Sequence, residues 1–363
     1  MSKLYLGVMS GTSRDALDGC LVSFEPELQI HQTITIPFSQ TYKHEEELSR
    51  IDAEITQKTI NLVNTVLSKG NIDESEIELI AFSGQTISHT NTKSIQAGDP
   101  QEIANKTHIK VSSDFRNKDI ANGGMGAPLI PIFHKYLFGQ NGAESAVINI
   151  GGISNGTWLV NGNIECATDI GPGNCLMDMA TSLYGHGDFD KDGNLASQGK
   201  LIIKLKDSLM KVFLEYGYPR ADDISAYTSI LKSKLDKDYK AEDVLFTLSD
   251  ITAEMIANFH SFCNKPKELI FHGGGTRNTF LMRSIKTKTG ANITSTDSVV
   301  DSRYMEACAF AYLAYANKGV IFQIEKDAPQ PQVVLALGLS ITNLAPIRSV
   351  SYTHLTLPTN REV

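Results

Sequence analysis

The chain has 363 residues, of which 41% are hydrophobic and 20% charged, and its net charge is −8. This acidic balance, without a Lys/Arg-rich patch, argues against a nucleic-acid-binding protein, whose affinity depends on neutralising phosphates. No apolar run approaches the roughly 20 residues of a membrane-spanning helix, and the length favours two domains or one large two-part unit. We therefore expect a globular protein that binds neither nucleic acid nor membrane.

The first residues, MSKLYLGVMSG, show no signal-peptide pattern, because no cationic stretch precedes a long apolar run. This predicts a cytoplasmic protein. The five cysteines contain no CxxC pair, so they fit neither a disulfide framework nor a zinc site. We expect all of them to be reduced and mostly buried: Cys20, Cys166, Cys175, Cys263 and Cys308.

The predicted elements begin with a strand, a glycine-containing turn and a second strand in KLYLGVMSGTSRDALDGCLVSF. An amphipathic helix is predicted over Glu45 to Leu67. The strand, turn, strand pattern returns about 140 residues after the first, in SAVINIGGISNGTWLVNGNI. A further amphipathic helix is predicted over Thr252 to Cys263.

The third glycine cluster, ELIFHGGGTRNTFLMRSI, links a strand to a helix. A helix of small residues, EACAFAYLAYANKG, follows and is closed by Gly319. This alternation of strands and helices predicts an α/β fold.

Repeated glycine turns in the two halves of the chain suggest two related lobes that face each other across a cleft. Backbone N–H groups of such turns bind anions, and the missing Cβ atoms let a phosphate approach closely. Any single turn is more simply explained as an ordinary tight turn, but three of them, each after a strand, favour phosphate binding. The sequence contains no GxxxxGKS/T and no convincing strand-borne GxGxxG, which argues against a P-loop or dinucleotide fold.

Several acids follow the glycine turns. Asp15 and Asp18 lie close behind the first turn, where carboxylates could hold Mg²⁺ against phosphates, and solvated turn acids fit equally well. Asp169 precedes a Gly-Pro-Gly turn, and Asp178 lies about one helical turn beyond Asn174. Because the neighbours of Asp178 are apolar, desolvation should raise its pKa toward that of a general base; a helix-capping or ion-paired acid is the alternative.

Two other stretches are candidate sites. Arg116 suits a substrate carboxylate through two parallel hydrogen bonds, and a surface ion pair is an equal alternative. The stretch DFDKDGNLASQG begins like a calcium loop, but Gly199 replaces the glutamate that such a loop requires, so we exclude calcium.

The end of the chain, SYTHLTLPTNREV, resembles read-through sequence, and we leave residues 336–363 out of the predicted fold as uncertain.

Nine motifs, in order along the chain, resemble those of one family. They are GVMSGTSRDALD, SGQTISH, QAGDPQEIA, DFRNKDIANGGMGAPLIPIFH, NIGGISN, TDIGPGNCLMD, DFDKDGNLASQG, HGGGTRNTFLM and DSRYMEACAFAYLA. The family is the anhydro-N-acetylmuramic acid kinases, which have the actin, hexokinase and Hsp70 superfold. The resemblance covers residues 5 to about 320, and so many ordered motifs are far more specific than a single glycine turn.

The resemblance implies a two-lobed, ribonuclease H-like α/β fold with a central cleft. Lobe I would contain residues 1–135 and about 305–335, and lobe II residues 136–304. The implied reaction opens the 1,6-anhydro bond of the sugar with water and transfers the γ-phosphate of ATP to the freed O6. The implied cofactors are ATP and Mg²⁺, and relatives suggest a homodimer.

The resemblance also implies roles for individual residues. Asp178 matches the catalytic base and Glu306 an acid near the sugar, and both join Arg116 as expected sugar-binding residues. Asp15 and Asp18 are the expected metal residues. The residues expected to bind ATP are Gly11, Thr12, Ser13, Arg14, Asp15, Ala16, Leu17, Asp18, Gly151, Gly152, Gly273, Gly274, Gly275 and Asn278.

The sequence departs from the family pattern at several positions. Ala16 stands where the family usually has glycine, Ser83 where it has histidine, and Met125 where it has glutamine. The proline-rich PPKSTGRE-type segment is replaced by YGYPRADDISAYTSILKS. These departures keep two alternatives open, namely a kinase of another amino sugar and a nucleotide-binding regulator that has lost phosphate transfer.

Overall fold

The structure is a computed structural model that describes residues 2–11, 16–38, 48–90, 92–140 and 142–324. Residues 1–324 belong to one compact unit. The predicted tail and the predicted start of the first helix at Glu45 lie outside the described residues.

The secondary structure alternates along the chain as an α/β fold requires. The strands are β1 Leu4–Ser10, β2 Ala16–Ser23, β3 Gln29–Pro37, β4 Ile77–Phe82, β5 Gln85–Thr90, β6 Lys93–Ala97, β7 Val111–Ser113, β8 Ser145–Ile150, β9 Ile153–Val160, β10 Asn163–Pro172, β11 Glu268–His272, β12 Asn292–Ser295 and β13 Val320–Phe322. The helices are α1 Leu48–Gly70, α2 Pro100–Thr107, α3 Phe115–Ala121, α4 Pro131–Phe138, α5 Cys175–Leu183, α6 Ile203–Phe213, α7 Ile224–Lys234, α8 Ala241–Phe262, α9 Thr279–Thr289 and α10 Met305–Tyr315.

Two larger sheets repeat one strand order. Written in the same direction, the first runs β13-β7-β4-β1-β2-β3 and the second β12-β11-β8-β9-β10. The first sheet has one additional edge strand, β13. In each sheet the central strand, β1 or β8, pairs antiparallel with the next strand in the chain and parallel with a later one, β4 or β11. This repeat confirms the predicted two-lobed, ribonuclease H-like fold. The lobe boundaries at residues 135/136 and 304/305 stay a prediction.

The central strand β1 of the first sheet packs against helices on both of its faces, since successive side chains of a strand point to opposite sides. Leu6 and Val8 of β1 pack in one cluster with Leu62 of α1. Tyr5 points to the opposite face of the sheet and packs in another cluster with Ala307 of α10 and Phe133 of α4. In the second sheet, the face of β8 that carries Ala146, Ile148 and Ile150 packs against helices α5 to α9. Most of the helices therefore serve as covers for one of the two sheets.

Helix α10 lies unusually close to β1, and Gly7 allows this approach. A Cβ atom at Gly7 would collide with the backbone carbonyl oxygen of Ala307. The same region corrects the prediction that all cysteines are reduced, since the structure joins Cys20 of β2 to Cys308 of α10, with their Cα atoms 5.6 Å apart. These contacts fix the start of α10 beside the end of β1.

Helix α8 is longer than predicted. It begins at Ala241, whereas the sequence pattern indicated a start at Thr252. Val244, Leu245, Thr247 and Leu248 are buried, while Glu242, Asp243, Phe246 and Asp250 are partly exposed at helical spacing. The helical period therefore begins earlier in the sequence than the prediction placed it.

Candidate active site

A cavity of about 400 Å³ brings the three glycine clusters together. Its lining residues come from the ends of β1, β8 and β11, from the start of β2 and from the beginning of α10. They are Met9, Gly11, Ala16, Asp18, Asn149, Gly151, His272, Gly273, Gly274, Arg277, Ser302, Arg303, Glu306 and Ala307. Seven residues expected to bind nucleotide, metal or sugar are thus assembled at one place: Gly11, Ala16, Asp18, Gly151, Gly273, Gly274 and Glu306.

The first glycine turn contributes Asp18, on β2. Its Oδ1 accepts a hydrogen bond from Thr35 Oγ1 at 2.5 Å and lies 3.1 Å from Nε of Arg303. Leu17 points its side chain into the core, where it is 1% exposed, so only its backbone can meet a ligand. The remaining predicted residues of this turn, Thr12, Ser13, Arg14 and Asp15, lie outside the described residues.

The second glycine turn is tied to the helix that carries the predicted base. The carbonyl oxygen of Gly151 accepts a hydrogen bond from Asn174 N at 2.8 Å, and that of Gly152 accepts one from Gly173 N at 2.9 Å. Asn174 directly precedes α5, and its own carbonyl oxygen accepts a hydrogen bond from Asp178 N at 2.8 Å. Asp178 therefore lies one helical turn beyond a residue that is bonded to the glycine turn.

Asp178 is half-buried in the first turn of α5. Burial, followed by the negative charge of Asp188, raises the pKa of its carboxyl to about 6. The carboxylate form therefore predominates at neutral pH, yet it binds a proton more readily than an ordinary aspartate does. A general base requires this combination.

The third glycine cluster closes the cavity from the side of the second sheet. Gly273 has φ +91°, and a Cβ atom there would collide with Asn149 Oδ1, so this position needs glycine. Gly275 is buried, and the side-chain oxygen of Asn278 accepts a hydrogen bond from Leu281 N at 2.9 Å, which caps α9. Neither Gly275 nor Asn278 lines the cavity.

A smaller cavity, of about 180 Å³, adjoins the first and shares Met9, Asn149 and Glu306 with it. Arg116 also lines this cavity, and its Nη1 donates to the carbonyl oxygen of Gly126 at 3.0 Å. Burial raises the pKa of Glu306, while the charge of Arg116 acts to lower it. Two of the three residues predicted to bind the sugar, Arg116 and Glu306, thus line the same small cavity, whereas Asp178 does not.

Family membership follows from a comparison with known proteins. The family model described as anhydro-N-acetylmuramic acid kinase matches residues 3–321. The chain belongs to the anhydro-N-acetylmuramic acid kinase family. A relative of that name from Gamma-proteobacterium EBAC31A08 is 34% identical over 343 residues, covering 88% of this chain and 94% of that protein. Another, from Idiomarina loihiensis, is 35% identical over 367 residues, covering 92% and 96%.

Solved structures of similar shape lie further away in sequence. Component A of the Acidaminococcus fermentans (R)-2-hydroxyglutaryl-CoA dehydratase has a TM-score of 0.47 at 15% identity, covering 87% of this chain and 99% of that one. A ROK family glucokinase from Streptomyces griseus, in complex with glucose and AMPPNP, has a TM-score of 0.41 at 12% identity, covering 87% and 100%.

Across residues 2–324 with the gaps given above, no helix is long and apolar enough to cross a membrane. Within that same part of the chain, no group of three or more His, Cys, Asp or Glu residues is arranged to hold a metal ion.

Sequence reasoning missed several lining residues. Arg277 and Arg303 bring positive charge to the cavity, and His272 is 2% exposed, with burial lowering its pKa to about 4. Asn149 lies two residues before Gly151 and carries no charge, so it gave no chemical signal. Arg277 follows the third glycine cluster by two residues, and its position after a phosphate-type turn was the available clue.

Proposed function

We propose that the chain uses ATP to convert 1,6-anhydro-N-acetylmuramic acid into N-acetylmuramate 6-phosphate, in the recycling of cell-wall peptidoglycan. Water attacks C1 and gives its proton to a base, the bond from C1 to O6 breaks, and O6 receives the γ-phosphate with release of ADP. The observation that carries this proposal is the cavity lined by both glycine turns, with Glu306 in its wall and Asp178 on a helix bonded to the second turn.

We assign the polyphosphate of ATP to the larger cavity. Backbone N–H groups of the turns at Gly11, Gly151 and Gly273 can face phosphate oxygens, since no Cβ atom intervenes. Arg277 and Arg303 supply two positive charges against the phosphates. Transfer of a phosphoryl group depends mainly on positioning and charge stabilisation, which this arrangement supplies.

The cavity also fits Mg²⁺, because Asp18 presents a carboxylate to it. We expect Asp18 to hold the ion through a water molecule, with Asp15 as the second predicted metal residue. When bound, Mg²⁺ offsets negative charge on the transferred phosphoryl group.

We assign Asp178 to the attacking water. With a pKa of about 6, its carboxyl is mostly ionised at pH 7 and able to accept the proton. Arg116 is suited to the carboxylate of the sugar's lactyl group, and Glu306 to a sugar hydroxyl, since both side chains line the smaller cavity. We further expect a cytoplasmic homodimer with lobe boundaries as given by the sequence.

The test is a direct assay of the purified full chain with ATP, Mg²⁺ and 1,6-anhydro-N-acetylmuramic acid. We expect equal amounts of ADP, measured by a coupled assay, and of sugar 6-phosphate, measured by mass spectrometry. A folded protein that binds ATP but forms no sugar phosphate would contradict the proposal. A panel of other amino sugars shows whether Ser83 and Met125 change the preferred substrate.

A further inference from the structure

Arg303 lies on the segment that connects the two sheets. This linking segment, residues 296–304, runs from the end of β12 in the second sheet to the start of α10, which packs on the first. Hydrogen bonds within the segment hold it in a compact turn, since Asp297 Oδ1 accepts from the backbone N of Ser302 at 2.7 Å and from Ser302 Oγ at 2.6 Å. A ligand that holds Arg303 therefore also holds the connection between the sheets.

The guanidinium of Arg303 contacts the one acid that the first glycine turn presents among its described residues. Its Nε lies 3.1 Å from Asp18 Oδ1. The same oxygen is bonded to Thr35 Oγ1, which lies 3.1 Å from the hydroxyl oxygen of Tyr304. The linking segment is thus attached to β2 and β3 by two neighbouring side chains.

This contact lies in the wall of the larger cavity and is only partly shielded. Asp18 and Arg303 both line that cavity, and their side chains are 23% and 44% exposed. An ion pair with this much solvent contact is weak, because water competes for both charges. A phosphate group, with several charged oxygens and a geometry that matches the guanidinium fork, is a stronger partner for arginine.

We propose that Arg303 is a positioning residue that exchanges Asp18 for a phosphate oxygen when a nucleotide binds. The exchange connects the nucleotide to the linking segment and leaves Asp18 available to a metal-bound water. This inference rests on the proposed function, because it needs a polyphosphate in the larger cavity. Arg277, on the turn that follows β11, also lines that cavity, and its charge helps to lower the pKa of Asp297 in the linking segment.

A double-mutant cycle tests the exchange without catalysis. Calorimetry with the full chain measures ATP affinity in EDTA for the wild type, Asp18→Asn, Arg303→Gln and the double variant. Arg303→Gln should weaken ATP binding about tenfold, as expected for loss of a charge-assisted hydrogen bond. Asp18→Asn should strengthen it about threefold to tenfold, because it removes the competitor for Arg303.

The double variant decides between exchange and simple repulsion. If Asp18 only repels phosphates, its removal improves ATP binding equally with or without Arg303. If the two compete for Arg303, the gain from Asp18→Asn disappears in the Arg303→Gln background. A gain that persists there overturns the inference.

Controls separate this inference from the proposed function and from misfolding. Arg283→Gln, on an exposed position of α9, should leave ATP affinity unchanged. Arg303→Lys keeps the charge but loses the fork and should fall between the wild type and Arg303→Gln. Unchanged ATP affinity in Arg303→Gln overturns the inference alone, while a folded wild type that binds no ATP overturns the proposed function as well.

Discussion

The two glycine hairpins have the same position in their sheets but different chemistry. Register pairs Met9 with Asp18 across the first hairpin and Asn149 with Asn155 across the second. The first therefore carries a carboxylate where the second carries an amide. The first hairpin can change charge partners when metal or nucleotide binds, whereas the second offers mainly fixed backbone groups.

The central strands differ as well. Counting back from the ends of β1 and β8, Gly7 corresponds to Val147. The missing side chain of Gly7 lets α10 approach the first sheet and bring Glu306 to the cavity. On the second sheet Asp178 lies on α5, which the hydrogen bond from Asn174 N to the carbonyl oxygen of Gly151 ties to the glycine turn, and Asp178 lines neither cavity. The two carboxyl groups are thus held by different elements.

The largest effect should come from removing the proposed base, Asp178. Asp178→Asn should lower kcat by about 10²–10⁴, the usual contribution of a general base, while ATP binding is retained. Steady-state kinetics and calorimetry measure the two quantities. Asp207→Asn, on the exposed face of α6, is the matched control and should keep full activity. Comparable loss in both variants would contradict the assignment.

Filling the space at Gly7 should break the close approach of α10. Gly7→Ala should lower the free energy of unfolding by about 1–3 kcal/mol, because the new Cβ atom overlaps the carbonyl oxygen of Ala307. Chemical denaturation measures the change. At Gly217 a Cβ atom would meet no atom within 4 Å, so Gly217→Ala should have little effect. Equal stability of both variants would show that α10 can shift without cost.

Making the first hairpin resemble the second should weaken the binding of Mg²⁺. Asp18→Asn should raise the Mg²⁺ concentration needed for half-maximal activity about tenfold, as for loss of a group that orients metal-bound water. Asn155→Asp is the reciprocal change and should not lower that concentration, because Asn155 lines only the smaller cavity. Titration of activity with Mg²⁺ compares the two, and an unchanged requirement in Asp18→Asn excludes Asp18 as a metal residue.

The smallest effect concerns pH. Because the pKa of Asp178 is raised to about 6 and the base must be ionised, kcat/KM should be constant above that pH and fall as the pH drops through about 6. Asp188→Asn removes the charge that helps to raise this pKa, so the fall should move to lower pH by less than about one unit. A pH profile that Asp188→Asn leaves in place would assign the acid limb to another group.

Local patterns predicted much of this architecture. Short stretches of sequence were enough to predict the glycine turns after strands, which line the larger cavity, and the acid among apolar neighbours, Asp178. Arg303 could not be found this way, because its partner Asp18 lies 285 residues away in sequence. The Cys20–Cys308 disulfide, with a separation of 288 residues, was not predicted for the same reason. Contacts of this range depend on the folded topology alone.

The strand order has a consequence for synthesis on the ribosome. All strands of the second sheet lie within residues 145–295, so that sheet can assemble as soon as this continuous stretch has emerged. The first sheet starts with residue 4 but receives α10 and β13 only after residue 304. Until then, the face of β1 at Gly7, against which α10 packs, is uncovered. The half of the enzyme that is synthesised first is therefore the last to be completed. Its apolar surface stays exposed to aggregation and to chaperones in the meantime.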